Sequence, residues 1–185
     1  PRFKVGALIV DGRHLRAPAP PRQGGQGREG LQRIALPAAR RVELRWSGTL
    51  VALDRSLDHR DALRYGAPAS SPEGTYLPAG SGWYPAVEGA LESYRLALEL
   101  PAGQRGLVPG RILEERVSGG RYRARFDFPQ PSEGIALLAG PYRIEERRLR
   151  TAAGSDVQLR TYFHPEIAEL ARGYLDSIAG YLDLY

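Results

Sequence analysis

The most restrictive feature of this sequence is the density of its chain-breaking residues. The 185 residues include 22 glycines and 15 prolines, which recur at short intervals along the chain. Both residue types favour turns and are poorly tolerated inside helices. The sequence therefore predicts many short strands joined by tight turns, with few long helices.

Between these breakers, several segments alternate apolar with polar residues. The segment "RYRARFDFP" places four apolar side chains on one face: Tyr122, Ala124, Phe126 and Phe128. A period of two indicates a strand with one buried face. The segments "RVELRWSGTL" and "ESYRLALELP" alternate in the same way, and Asp11-Gly12 predicts a hairpin turn after the first strand. We therefore predict an all-β fold of two packed sheets, a saddle or sandwich.

The last 22 residues, "HPEIAELARGYLDSIAGYLDLY", show a helical pattern instead. Pro165 suits a first helical position, and Glu166 suits the first turn. Eight apolar residues recur at helical spacing: Ile167, Leu170, Ala171, Tyr174, Leu175, Ile178, Tyr181 and Leu182. Because Gly173 and Gly180 make an isolated helix marginal in water, this stripe needs a partner surface. That surface is either the β part or a domain outside this chain.

The composition limits the classes of partner. The net charge is +5, but the positive charge is almost all arginine and is interleaved with 21 acidic residues. Nucleic-acid footprints are usually clustered, so we expect no nucleic-acid partner. No apolar run of about 18 residues occurs, so we expect no membrane segment. Residues 17–30 are low in complexity and are predicted to form a flexible loop.

No group of residues in the chain has the spacing of a catalytic or metal-binding site. His14, His59 and His164 come from three separate segments, and there is no His-Glu-x-x-His pair to hold zinc. The absence of cysteine excludes a thiolate zinc site and a cysteine nucleophile. Ser81 in "GSGW" lacks the spacing of a nucleophile elbow. We predict neither a catalytic residue nor a metal ligand in this chain, and the compartment stays undecided.

The order of the strand motifs is similar to that of a known family. "RVELRWSGTL", "GWYP", "YRLALELPAGQRGLVPGRILEE" and "RYRARFDFPQPSEGIALLAGPYRI" resemble, in that order, the amino-terminal β domain of the aminopeptidase N and leukotriene hydrolase-type zinc metallopeptidases. "EIAELARGYLDSIAGYLDLY" resembles the first helix of their thermolysin-like catalytic domain. The resemblance implies that residues 1–163 form this β domain. It also implies that residues 164–185 begin a catalytic domain that is absent from this chain.

The resemblance implies a non-catalytic role in a zinc aminopeptidase-like protein. The domain would cap the active-site cleft and help to bind the amino terminus of a peptide, while zinc would lie in the absent catalytic domain. In the family, a Gln or Glu ahead of the aromatic-Pro step binds the substrate amino group. Glu73 in "SSPEGTY" is the nearest match. A solvated loop glutamate is the alternative for this position.

The aromatic pair Trp83-Tyr84, followed by Pro85, admits two interpretations. The rings either pack between sheets or form a stacking platform at the rim of a substrate cleft. A second reading of the whole chain is a free-standing β-sandwich module that binds protein or glycan through Trp83 and Tyr84. The chain alone is expected to be inactive, and whether a parent protein is an active peptidase stays open.

Overall fold

The computed structural model describes residues 2–16, 34–50, 68–87, 89–151 and 154–184. Within them the chain is all-β with one C-terminal α-helix, which confirms the predicted fold class. The predicted flexible loop at residues 17–30 lies outside the described residues, so that prediction stays open, and His59 also lies outside them.

The described residues contain twelve strands that form four sheets. The strand orders are β2-β1-β3, β4-β5-β10-β7, β6-β9-β8 and β11-β12. The strands are β1 (Arg2–Val10), β2 (Arg13–Leu15), β3 (Val42–Thr49), β4 (Ala69–Ser71), β5 (Gly74–Leu77), β6 (Glu92–Pro101), β7 (Arg105–Leu107), β8 (Arg111–Ser118), β9 (Arg121–Ser132), β10 (Leu137–Gly140), β11 (Arg143–Arg150) and β12 (Asp156–Phe163). A 3-10 helix (Pro165–Leu170) and helix α1 (Ala171–Leu184) follow.

The chain divides into two compact units, each described by itself below. The first unit comprises Pro1–Ser71, Thr75–Tyr94 and Phe128–Leu137. The second unit comprises Pro72–Gly74, Arg95–Asp127 and Leu138–Tyr185.

In the first unit, β1 and β2 form the hairpin that Asp11-Gly12 predicts. Both turn residues have positive φ, 47° for Asp11 and 81° for Gly12, as a tight hairpin turn requires. The Asp11 carboxylate accepts hydrogen bonds from the backbone N–H groups of Arg40 and Arg41, at 3.1 and 2.9 Å. One turn residue therefore also fixes the segment that leads into β3.

Strand β3 forms where the alternation predicts it, but its apolar face is only partly covered. Leu44 is half-buried, whereas Val42 is 45% and Trp46 38% exposed. Among the described strands, β3 lies at the edge of its sheet and pairs with β1 alone. An edge strand has a neighbour on one side only, which leaves much of its apolar area uncovered.

In the second unit, the core lies on β9. Tyr122, Ala124 and Phe126 are 0%, 2% and 1% exposed, as the period of two predicts. The turn from β8 to β9 uses Gly119 and Gly120 at positive φ. The hydrophobic face of the segment was thus correctly predicted, and it supplies the largest buried side chains of this unit.

Helix α1 packs on the β11–β12 hairpin of the same unit. Ala171 and Leu175 are buried, at 1% and 2% exposed, and Asp176 forms an ion pair with Arg147 at 2.6 Å. Ile178 is half-buried, and the other large apolar side chains of the stripe and of the 3-10 helix are exposed: Ile167, Leu170, Tyr174, Tyr181 and Leu182. Part of the stripe therefore has its partner surface within this chain. The assignment of residues 164–185 to a following domain stays a prediction.

The helical segment begins with a tighter turn than predicted. Pro165 stands at its start, but the first six residues form a 3-10 helix, and Ile167 has non-helical angles of φ −129° and ψ 19°. His164 precedes the helix without a capping hydrogen bond from its side chain. Its ring instead contacts Tyr142 edge to face, with 5.0 Å between ring centroids.

Candidate functional site

In the first unit, Trp83 and Tyr84 bind both backbone polar groups of one residue. The indole Nε1 of Trp83 donates to the carbonyl oxygen of Ile135 at 3.0 Å. The backbone N–H of Ile135 donates to the hydroxyl of Tyr84 at 2.9 Å. The two half-buried rings meet edge to face, with 4.8 Å between centroids and 67° between planes. The pair therefore fastens the segment after β5 to the segment before β10.

Two further residues complete this aromatic joint. The indole Nε1 of Trp46 donates to the backbone carbonyl of Trp83 at 3.2 Å. Gly134 has φ 151°, and a Cβ there would lie 2.9 Å from the Tyr84 hydroxyl and 3.1 Å from Cβ of Ala79. Glycine is thus needed both for the backbone angle and for the close approach of the ring. Sequence reasoning missed the contacts of these two residues with the aromatic pair, because each meets Trp83 or Tyr84 from a distant segment.

The geometry of the joint bears on the two interpretations of the aromatic pair. Packing accounts for the indole N–H, the phenol oxygen and the ring contact, since each has a partner within the unit. The rings are half-buried, so each also retains exposed area. Packing is therefore observed, and contact with a substrate stays a prediction.

Glu73 lies on the turn between β4 and β5, in the second unit. The residue is exposed. The flanking hairpin is closed by a 2.7 Å hydrogen bond between the hydroxyls of Ser70 and Thr75. The amide Nε2 of Gln104 donates to the carbonyl of Pro72 at 3.1 Å, which fixes the residue beside Glu73. The structure thus brings Trp83 and Tyr84 together in one unit and presents Glu73 on a supported turn of the other.

A charged cluster in the second unit was not predicted. The Nη2 of Arg160 lies 2.6 Å from Glu115 Oε2, and the hydroxyl of Tyr122 donates to Glu115 Oε1 at 2.7 Å. The Nε of Arg160 lies 2.7 Å from Glu146 Oε1, an ion pair without the alignment of a hydrogen bond. The Arg160 side chain is only 12% exposed. The cluster joins β8, β9, β11 and β12.

The protonation states of this cluster follow from its burial. Burial raises the pKa of Tyr122, and the hydrogen bond to Glu115 raises it further, so the phenol stays neutral. Burial acts to lower the pKa of Arg160, but the hydrogen bond and charge of Glu115 raise it on balance. A neutral donor and a permanent cation thus share one carboxylate. This arrangement stabilises the strands and offers no nucleophile.

The described part of the chain shows neither a cluster of metal ligands nor a membrane-spanning helix. It contains no group of three or more His, Cys, Asp or Glu side chains placed to hold a metal ion. None of its helices combines the length and apolarity needed to cross a membrane.

Solved structures similar to this chain include M1 zinc metallopeptidases. A two-domain M1 zinc metallopeptidase bound to L-arginine matches 92% of this chain and 41% of its own, with TM-score 0.56 and 16% identity. The M1 zinc metallopeptidase from Deinococcus radiodurans matches 88% of this chain and 38% of its own, with TM-score 0.57 and 16% identity. A mutant of the Deinococcus radiodurans enzyme bound to a Tyr-Ser-Ala substrate matches 86% and 37%, with TM-score 0.56 and 16% identity.

No protein-family model matches the sequence, and no curated protein matches it. The structural likeness extends to the N-terminal part of the M1 zinc metallopeptidases, and this chain spans about two-fifths of their length. The resemblance drawn from the order of the strand motifs is therefore confirmed in the fold.

Proposed function

We propose that this chain is the non-catalytic N-terminal β domain of a zinc aminopeptidase-like protein. In this role it caps one side of the active-site cleft and helps to bind the amino terminus of a peptide. The supporting observation is the likeness of up to 92% of the chain to about two-fifths of two-domain zinc metallopeptidases. In the proposal, zinc is held by a catalytic domain that follows this one, and that domain and the peptide are the partners.

The exposed side of the helical segment supports a following domain. Tyr174 and Tyr181 are 55% and 63% exposed, and Ile167 and Leu170 are 45% and 46% exposed. Apolar area of this kind on one helix costs free energy in water and is stabilised when a second surface covers it. The following catalytic domain is the proposed cover.

Glu73 is the proposed ligand for the peptide amino group. A carboxylate can accept charge-assisted hydrogen bonds from an ammonium group, and these are shorter and stronger than neutral ones. The supported turn between β4 and β5 presents this residue at an exposed position. In the first unit, the exposed ring area of Trp83 and Tyr84 is proposed to contact peptide side chains.

The first test is the coding sequence that follows Tyr185. The proposal expects His-Glu-x-x-His within about a hundred residues, on a helix that continues the domain order. The 185-residue chain by itself should contain no stoichiometric zinc and hydrolyse no aminoacyl amide. The two-domain protein should bind zinc and hydrolyse an aminoacyl amide. Stoichiometric zinc or turnover in the 185-residue chain would refute the assignment.

The second test concerns Glu73 in the two-domain protein. Glu73→Ala should raise KM for an aminoacyl amide about tenfold, because the side-chain oxygens that would accept hydrogen bonds from the amino group are removed. Glu133→Ala is the matched control, since Glu133 is also an exposed glutamate that precedes a glycine between two strands. An equal change in KM for both variants would contradict the role of Glu73. Binding of a protein or glycan without any hydrolysis would favour the free-standing module.

A further inference from the structure

The second unit contains a cavity of about 320 Å³ with two arginines in its wall, Arg105 and Arg143. Tyr142 and the rings of Pro141 and Pro165 form much of the remaining wall, and none of the described residues that line it carries a carboxylate. We propose that this cavity binds an oxyanion, the carboxylate or phosphate group of a small ligand. This inference is independent of the proposed peptidase role.

The two cavity arginines differ from most arginines of this unit in lacking an acidic partner. Arg95 and Arg111 both pair with Asp127, and other arginines of β9, β11 and β12 pair with glutamate or aspartate. Arg105 and Arg143 have no carboxylate within ion-pair distance among the described residues. Two cations around one cavity repel each other, and a bound anion converts that repulsion into attraction.

Arg105 is held in place before any ligand binds. Its Nη1 donates to the backbone carbonyls of Ala102 and Gln104, both at 2.9 Å. Its guanidinium also lies over the ring of Tyr122, 5.3 Å from the centroid. The Nε and Nη2 donors take no part in these bonds and form one edge of the planar fork that suits carboxylate and phosphate. A guanidinium fixed in this way loses little freedom on binding.

Tyr142 adds a neutral hydrogen-bond donor to the same wall. Its half-buried ring lies edge to face with Tyr162 and His164, at centroid distances of 6.1 and 5.0 Å. Burial raises the pKa of its phenol, so the hydroxyl keeps its proton at neutral pH and can donate. The proline rings and Ala102 form the apolar part of the wall.

The test uses calorimetric titration of the 185-residue chain with inorganic phosphate and, separately, with benzoate, in a buffer of low chloride concentration. At least one of the two should bind saturably with one site per chain. Arg143→Gln should weaken that binding by about tenfold or more, because one of the two cationic contacts is lost. Arg148→Gln is the matched control: Arg148 is an exposed arginine of the same strand, is unpaired among the described residues and lies outside the cavity wall. It should weaken binding less than about twofold.

The outcomes separate the possibilities. Preference for phosphate assigns a phosphate-bearing ligand, and preference for benzoate assigns a carboxylate. The absence of saturable binding for both anions would overturn the proposal. An equal loss of affinity in R143Q and R148Q would also overturn it, because that result indicates diffuse attraction to a basic surface. As a second variant, Arg105→Lys keeps the charge but removes the fork, and it should also weaken binding. If Arg105→Lys does not fold, the result for R143Q alone tests the proposal. Arg143 is exposed, so its substitution should leave the fold intact.

Discussion

Tyr84 accepts on its hydroxyl the backbone N–H of Ile135, 51 positions further along the chain, at a distance of 2.9 Å. The neighbouring Trp83 binds the carbonyl of the same residue. Two consecutive aromatic side chains thus satisfy both polar groups of one half-buried backbone unit. The bulky pair beside Pro85 therefore serves as a joint between distant segments of the first unit.

Tyr84→Phe should destabilise the chain by about 1–2 kcal/mol, because the N–H of Ile135 loses its acceptor while the ring is retained. Tyr76→Phe is the control, since Tyr76 is 42% exposed on β5 and its hydroxyl has no hydrogen-bond partner among the described residues. Urea denaturation of both variants measures the free energies of unfolding. Equal stabilities for the two variants would show that the hydrogen bond is not significant.

Gly134→Ala should cost about 1–3 kcal/mol, because a side chain at φ 151° is strained and the added Cβ would meet the Tyr84 hydroxyl at 2.9 Å. Gly173→Ala on helix α1 is the contrasting change, since a Cβ there has nothing within 4 Å. It should stabilise the chain by up to about 1 kcal/mol. The two melting temperatures should therefore move in opposite directions, and a shift of the same sign would contradict this account of Gly134.

The sequence predicted those parts of the fold that depend on neighbouring residues. The buried face of β9, the Asp11-Gly12 hairpin and the C-terminal helix each follow from alternation, turn chemistry or helical spacing over a few residues. These features are local, so the residue pattern is sufficient to specify them.

The partners across the fold could not be predicted. Trp46 is 37 positions from Trp83, and Arg160 is 45 positions from Glu115. Alternation indicates which face of a strand is apolar, but it does not specify which strands become neighbours. The exposure of Val42 and Trp46 was missed for the same reason. Nothing in the segment indicates that β3 lies at the edge of its sheet among the described strands.

Arg160→Gln should destabilise the chain by about 2–4 kcal/mol. The variant leaves the carboxylate of Glu115, whose side chain is 25% exposed, without its cation. Arg95→Gln removes a pair whose arginine is 84% exposed, and it should cost less than about 1 kcal/mol. Chemical denaturation of the two variants provides the comparison. Similar losses would mean that the Arg160 cluster contributes no more than a surface ion pair.

Stability should fall at alkaline pH because of Tyr122. Burial, aided by the hydrogen bond to Glu115, raises its pKa in the folded state above the ordinary value of 10.0. A raised folded pKa means that the stabilising contribution is complete below pH 10 and is lost as the pH rises beyond that value, since the unfolded phenol releases its proton first. Tyr142 and Tyr162 are shifted in the same direction by burial and add to the effect.

The measurement is urea denaturation at pH 8, 10 and 11 for the parent chain, Tyr122→Phe and Tyr181→Phe. Tyr122→Phe should be less stable at pH 8, because Glu115 loses a hydrogen bond, and should lose less further stability between pH 10 and 11. The free energy of unfolding of Tyr181→Phe should equal that of the parent chain at every pH, since Tyr181 is 63% exposed. A parent chain whose stability is unchanged from pH 8 to 11 would contradict the assignment, because a buried neutral phenol cannot be indifferent to its own ionisation in the unfolded state.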